Sequence, residues 1–192
     1  MAANVWCKAH CFVFTGGPGA GKTTVLDLLA QQGFNVIPEV AREIIRQQMA
    51  TGGSAVPWQD NAQYTHLMQV QSVAAWEAAP LPEAGPCFFD RGIPDVEGHV
   101  QLNHLPLNPA LQTAAQQYRY NPQVFIFPPW EEIYCTDTER KQTYADAVQT
   151  YKVIYAIYQS YGYTLQVVPV GPVQQRVAFI LDHIQNKNPL LL

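Results

Sequence analysis

Residues 16–23 read Gly-Gly-Pro-Gly-Ala-Gly-Lys-Thr, directly after the apolar run Cys11-Phe12-Val13-Phe14 and directly before Thr24-Val25-Leu26-Asp27-Leu28-Leu29. A strand that turns through a glycine-rich loop into a helix is a narrow structural prescription. The glycines let successive backbone N–H groups curve around phosphate oxygens without Cβ collisions, and the helix amino terminus adds favourable partial charge. The spacing Gly-x-x-x-x-Gly-Lys-Ser/Thr is complete, and both flanking elements are of the required type. A nucleoside triphosphate is therefore the expected ligand, with Lys22 on its β- and γ-phosphates and the Thr23 hydroxyl on Mg²⁺.

The rest of the chain alternates short apolar runs with longer segments of helical period, which predicts an α/β domain with a mainly parallel sheet between helices. Strands are expected at 11–15, 34–37, 87–90, 124–127 and 164–168. Helices are expected at about 21–32, 40–50, 58–78, 95–102, 109–118, 141–160 and 173–186. A length of 192 residues with 48% apolar content suits one core, so residues 1–192 are read as a single domain. Tyr144, Val148, Tyr151, Tyr155 and Tyr158 recur every three or four residues. That stripe fits core packing better than an aromatic ligand platform.

Charged residues at strand ends mark the chemistry, because the carboxyl ends of parallel strands converge on one crevice. Cys87-Phe88-Phe89 leads into Asp90, which is placed either to hold magnesium or to open the next helix. Arg91 follows, where a cation would neutralise charge on a transferring phosphoryl group. Glu39 ends the second strand; it could serve as general base or acceptor ligand, or as a first-turn helix acid. Arg42, one turn on, would bind substrate or pair with Glu39. Residues 128–142 are the expected lid over the donor, with Arg140 either its phosphate-contacting arginine or part of a solvated helix start.

Composition narrows the function classes. With 11 Lys and Arg against 15 Asp and Glu, the chain carries a net charge of −4 and shows no basic stripe for a nucleic-acid partner. Residues 1–10 resemble neither a secretory signal nor a membrane span, so a cytoplasmic location without membrane contact is expected. Cys7, Cys11, Cys87 and Cys135 lack paired metal-ligand or redox spacing and read as free thiols. A GTPase would carry Asn-Lys-x-Asp, whereas the only Asn-Lys continues as Asn188-Pro189. There is little room for the second helical subdomain of ring-forming ATPases. An ATP- and Mg²⁺-dependent kinase with a small hydroxyl-bearing, nucleoside-like acceptor is the leading expectation. The alternative is an ATPase or nucleotide-dependent switch that acts on a protein partner. Oligomeric state is not legible.

The stretches 15–24, Glu39-x-Ala-Arg42, Phe89-Asp-Arg-Gly92, Asp137-x-Glu-Arg140, Gly162-Tyr163, Val168-Pro169 and Arg176-Val177-x-Phe179-Ile180 resemble the small AAA-type ATP-binding proteins of the P-loop kinase superfamily. Glu39-Val-Ala-Arg42 is also similar to ribosylnicotinamide kinase domains, and Asp90-Arg91 to thymidylate and deoxynucleoside kinases. The resemblance implies a nucleoside/nucleotide-kinase fold with the phosphate-loop strand beside the Asp90 strand. It implies that Gly16, Gly17, Pro18, Gly19, Ala20, Gly21, Lys22, Thr23 and Thr24 bind ATP and Mg²⁺, and that Asp90 orients the metal. Arg91 would contact acceptor or transferring phosphate, Arg140 would close the lid, and Glu39 would be the catalytic carboxylate. Gly92 stands where deoxynucleoside kinases usually carry serine. The loop 169–172 corresponds to the segment lying against adenine.

Three weaker candidates remain. Asp95 and His99 would share a helix face and could begin a metal site, although Asp95 also suits a helix start. Polar and aromatic residues from Thr51 through Trp58, Gln59, Gln63, Tyr64 and His66 could line an acceptor pocket, or form helix surface and turn. Arg119-Tyr120 is expected on the edge away from the crevice.

Overall fold

The structure is a computed structural model that describes residues 4–133 and 143–187. In chain order the elements are β1 (Trp6–Cys7), β2 (Cys11–Gly16), α1 (Lys22–Gln31), β3 (Asn35–Ile37), α2 (Val40–Thr51), α3 (Asn61–Glu77) and β4 (Cys87–Asp90). They continue with α4 (Ile93–Leu102), α5 (Pro109–Gln117), β5 (Tyr118–Arg119), β6 (Gln123–Phe127), α6 (Tyr144–Ser160), β7 (Thr164–Val167) and α7 (Val173–Lys187). Five strands form a wholly parallel sheet in the order β3-β4-β2-β6-β7. The expected sheet is thus present, with the phosphate-loop strand β2 paired to the Asp90 strand β4, Phe14 opposite Asp90.

Strand β2 is buried along its whole length, because helices cover both faces of a parallel sheet. Its alternation sorts side chains into two cores. Phe12 and Phe14 point with Phe88, Phe125 and Phe127 toward α1 and α7. The Phe14 ring lies 5.2 Å from those of Phe88 and Phe127. Cys11 and Val13 point with Cys87 and Phe89 toward the opposite layer, which contains Tyr64 and Met68 of α3, Val96 of α4, Leu111 of α5 and Ile154 of α6. Because all five strands run the same way, Gly16, Ile37, Asp90 and Phe127 end at one rim. Strand order reverses direction about β2, which makes that rim a switch-point crevice.

The structure departs from the sequence expectations at a few places. Helix α3 starts at Asn61, behind Asp60, whose carboxylate accepts from the Gln63 N–H at 2.9 Å; Trp58 lies outside it and is exposed. Helix α4 starts at Ile93, so Pro94 takes a first-turn position where its missing N–H costs nothing. A second, two-stranded parallel sheet pairs β1 with β5; two residues per strand are too few for a period to show in sequence. The tyrosine stripe packs as expected only in part. Tyr158 is fully buried, while Tyr151 and Tyr155 lie half-buried beside an aliphatic face of Val153, Ile154 and Ile157. Cys7, Cys11 and Cys87 are free thiols. Among the described residues no helix is long and apolar enough to cross a membrane.

Candidate active site

The phosphate loop leaves β2 at Gly16 and enters α1 at Lys22. Three of its glycines are required by contacts, the first being Gly16, with φ +126° and a Cβ that would collide with the Phe127 carbonyl of β6. A Cβ on Gly17 would meet the Ala147 carbonyl of α6 at 2.6 Å. Gly21 has φ +75°, and a Cβ there would meet the Arg176 guanidinium. The Lys22 ammonium donates to the Gly17 carbonyl at 2.9 Å and reaches that of Gly16 at 3.4 Å. Burial pushes Lys22 down to about 8, helped by the Arg91 charge and opposed by Asp90, Glu39 and Asp95. Asp90 and Arg91 come from the end of β4, Glu39 from the turn after β3 and Asp95 from the first turn of α4, so the fold adds Asp95 to the charges expected around the lysine. Thr23 and Thr24 follow on the exposed side of the first helical turn.

Arg91 sits in the turn after β4 with φ +74°, a left-handed conformation that is costly for a residue with a side chain. Its backbone N–H is spent on the Phe14 carbonyl at 2.9 Å. Its Nε donates to Glu39 Oε1 at 2.8 Å, and its Nη1 to the Gly16 carbonyl at 3.0 Å and to Asp95 Oδ1 at 3.2 Å. Glu39 stands at the amino end of α2 but caps nothing with its side chain. Instead Oε2 accepts from Arg42 Nε at 2.8 Å, so the carboxylate bridges two arginines. Burial alone would raise the Glu39 pKa, yet Arg91, Lys22 and Arg42 together hold it below the usual carboxylate value.

Asp90 is buried, and its Oδ1 has no hydrogen-bond partner. It does not open the following helix, since Gly92 occupies the N-cap and Asp95 completes the capping box. Burial raises the Asp90 pKa against the pull of Lys22. A buried carboxylate oxygen without a donor, on the strand paired with the one that leads into the loop, is the hard oxygen chemistry that suits Mg²⁺. These residues fit the metal that the loop implies. Arg140 and the distal part of the expected lid lie outside the described residues. Its near end, Glu131–Ile133, forms a single helical turn.

Arg176, which the sequence offers only as part of the family resemblance and without a site role, also reaches the loop. It is 3% exposed on α7, and its Nη2 donates to the Ala20 carbonyl at 2.8 Å. The guanidinium lies 4.8 Å from the Phe127 ring centroid and 5.7 Å from that of Trp130. No carboxylate pairs with it among the described residues, and burial lowers its pKa. One signal was available: a cation interrupting the buried stripe Val177, Ile180, Ile184.

The weaker candidates resolve differently. Asp95 and His99 do not converge. Asp95 binds Arg91, while His99 Nε2 meets Asn61 Oδ1 at 2.7 Å and burial pushes its pKa down to about 4. In the segment through residues 51–66, Tyr64 alone of the named aromatics turns inward, its hydroxyl donating to the Ala41 carbonyl at 3.4 Å; Trp58, Gln59, Gln63 and His66 are exposed. The loop 169–172 leads into α7, where the Pro172 carbonyl accepts from the Arg176 N–H at 3.2 Å. Arg119 lies away from the rim, with its guanidinium 4.0 Å from the Tyr163 ring centroid.

No curated protein matches the chain by sequence. Solved structures do match in fold. The NadR protein in complex with NR aligns with a TM-score of 0.71 at 16% identity, covering 94% of this chain and 52% of that one. The chain therefore spans about half the length of NadR. Thymidylate kinase from Ehrlichia chaffeensis aligns with a TM-score of 0.62 at 13% identity, covering 91% of this chain and 98% of the enzyme. Shikimate kinase from Acinetobacter baumannii, in complex with shikimate, gives 0.51 at 16% identity, with 93% and 94% covered. The fold is that of P-loop kinases, and such identities speak to fold alone. The model of the AAA domain family matches residues 11–176, from the first residue of β2 to Arg176, and the chain belongs to that family.

Proposed function

We propose that the chain is an ATP- and Mg²⁺-dependent phosphotransferase acting on a small hydroxyl-bearing metabolite. The observation that carries this reading is the 2.8 Å ion pair between Arg91 and Glu39. Arg91 also donates to the first carbonyl of the phosphate loop, so one side chain links the donor site to a carboxylate on the neighbouring strand end. That carboxylate is placed to orient a nucleophile and take its proton, whether water or an acceptor hydroxyl, and the fold shared with NadR, thymidylate kinase and shikimate kinase favours the hydroxyl.

Lys22 and Arg91 supply positive charge where the oxygens of a transferring phosphoryl group gain negative charge. Glu39, held ionised by its arginines, accepts a hydrogen bond from the acceptor hydroxyl and takes its proton. A strongly basic carboxylate is unnecessary, since transition states of this class are loose and demand little nucleophile deprotonation. Arg42 is 55% exposed and stands at the acceptor side, available for a polar or anionic substituent. Thr23 and Asp90 would hold Mg²⁺, which when bound would neutralise charge on the phosphates. Arg140 is the proposed lid arginine. NR, shikimate and thymidylate, the compounds named with the structural neighbours, are the first acceptors to test.

Glu39→Gln keeps the shape of the side chain and removes its charge. With an acceptor found by screening ATP consumption, the variant should lose about 10²-fold or more of the transfer rate while binding ATP normally. Unchanged transfer would contradict the assignment.

A further inference from the structure

The site described so far leaves one buried carboxylate without a role. Asp95 is 7% exposed and receives four hydrogen bonds from three separate parts of the chain. Its Oδ1 accepts from the Thr15 hydroxyl and from Arg91 Nη1. Its Oδ2 accepts from the Tyr158 hydroxyl at 2.6 Å and the Gly92 N–H at 2.9 Å. Closing the amino end of α4 needs only the Gly92 bond. The two hydroxyls come from β2 and α6, and they fix the carboxylate whether or not Arg91 is present. We infer that Asp95 is the positioning residue that aims Arg91 at the terminal phosphate of a bound triphosphate. The inference rests on the phosphotransferase reading.

Four observations converge on it. Arg91 Nη1 is shared between Asp95 and the Gly16 carbonyl, and Nε is taken by Glu39, so Nη2 has no protein partner among the described residues and is the donor left for a ligand oxygen. Glu39 divides its charge between Arg42 and Arg91, whereas Arg91 is the only cation paired with Asp95 among the described residues. Thr15 immediately precedes the loop, which ties the position of Asp95 to the strand end that carries the phosphates. Finally, a Cβ on Gly92 would meet the Tyr158 hydroxyl at 2.8 Å. The absence of a side chain at residue 92 thus admits the tyrosine that orients Asp95. Arg91 keeps a left-handed backbone, and a side chain gripped at three points is what holds such a conformation in one place.

The test is the preference for Mg-ATP over Mg-ADP, measured by calorimetry for the full chain. Arg91→Ala should reduce that preference by about tenfold, the scale of one charge-assisted hydrogen bond. Asp95→Asn should reduce it by about fivefold or more on the same grounds, with Mg-ADP affinity held, and should add nothing in the Arg91→Ala background. An equal loss for both nucleotides would mark Asp95 as merely structural. An unchanged preference, or additive effects in the double variant, would equally overturn the inference. If Asp95→Asn does not fold, Tyr158→Phe carries the test, since it leaves the carboxylate three of its donors. A loss of preference of about twofold is expected, and none would contradict the inference. A wild-type chain that binds neither nucleotide would bring down the phosphotransferase reading itself. Nucleotide discrimination that survives in Asp95→Asn removes only the positioning role.

Discussion

Lys22 is held by opposing influences that make its protonation measurable. Burial depresses its pKa to about 8 from an ordinary 10.5. Between those values the unfolded lysine keeps a proton that the native one has released, so stability rises as pH increases across that window and is flat below it. Urea midpoints taken from pH 7 to 10 should show this rise, and Lys22→Met should abolish it. Triphosphate binding needs the charged form. Binding at pH 8.5 should therefore take up protons, detectable as a dependence of the calorimetric heat on buffer ionisation enthalpy, and affinity should weaken as pH climbs past 8.

At the scale of elements, α6 and α7 brace the phosphate loop from opposite sides. Gly17→Ala would drive a methyl into the Ala147 carbonyl, which is backbone and cannot step aside. A destabilisation of about 1–3 kcal/mol by urea unfolding, with weakened nucleotide binding, is expected. Arg176→Met keeps much of the side-chain volume against Phe127 but releases the Ala20 carbonyl, and should lower nucleotide affinity while the fold persists. These braces were poorly legible in sequence for a physical reason. Arg176 reaches a loop 156 residues away, and Tyr158 and Thr15 meet Asp95 across 63 and 80 residues. Local periodicity carries no trace of such pairings. The loop itself was legible because its chemistry is contiguous, and Asp90 because an acid ending an apolar strand is a local pattern. Glu39 and Arg91 could be placed on one rim from the parallel topology, but their ion pair depends on side-chain direction that only the structure supplies.

At the scale of the whole molecule, one rim holds a compact cluster of opposed charges. Of 11 Lys and Arg in the chain, Lys22, Arg42 and Arg91 gather at one rim, opposed by Glu39, Asp90 and Asp95, and Arg176 grips the loop from behind. That balance suits a compact anion such as a triphosphate, which the loop can surround, better than an extended polyanion. The most direct test follows the γ-phosphate by ³¹P NMR when the protein and Mg-ATP are incubated with a low-molecular-weight metabolite pool. The account predicts a new phosphomonoester resonance that grows as ATP falls and is missing with Lys22→Met. Release of inorganic phosphate alone, at a rate indifferent to added metabolites and raised by a protein fraction, would contradict it.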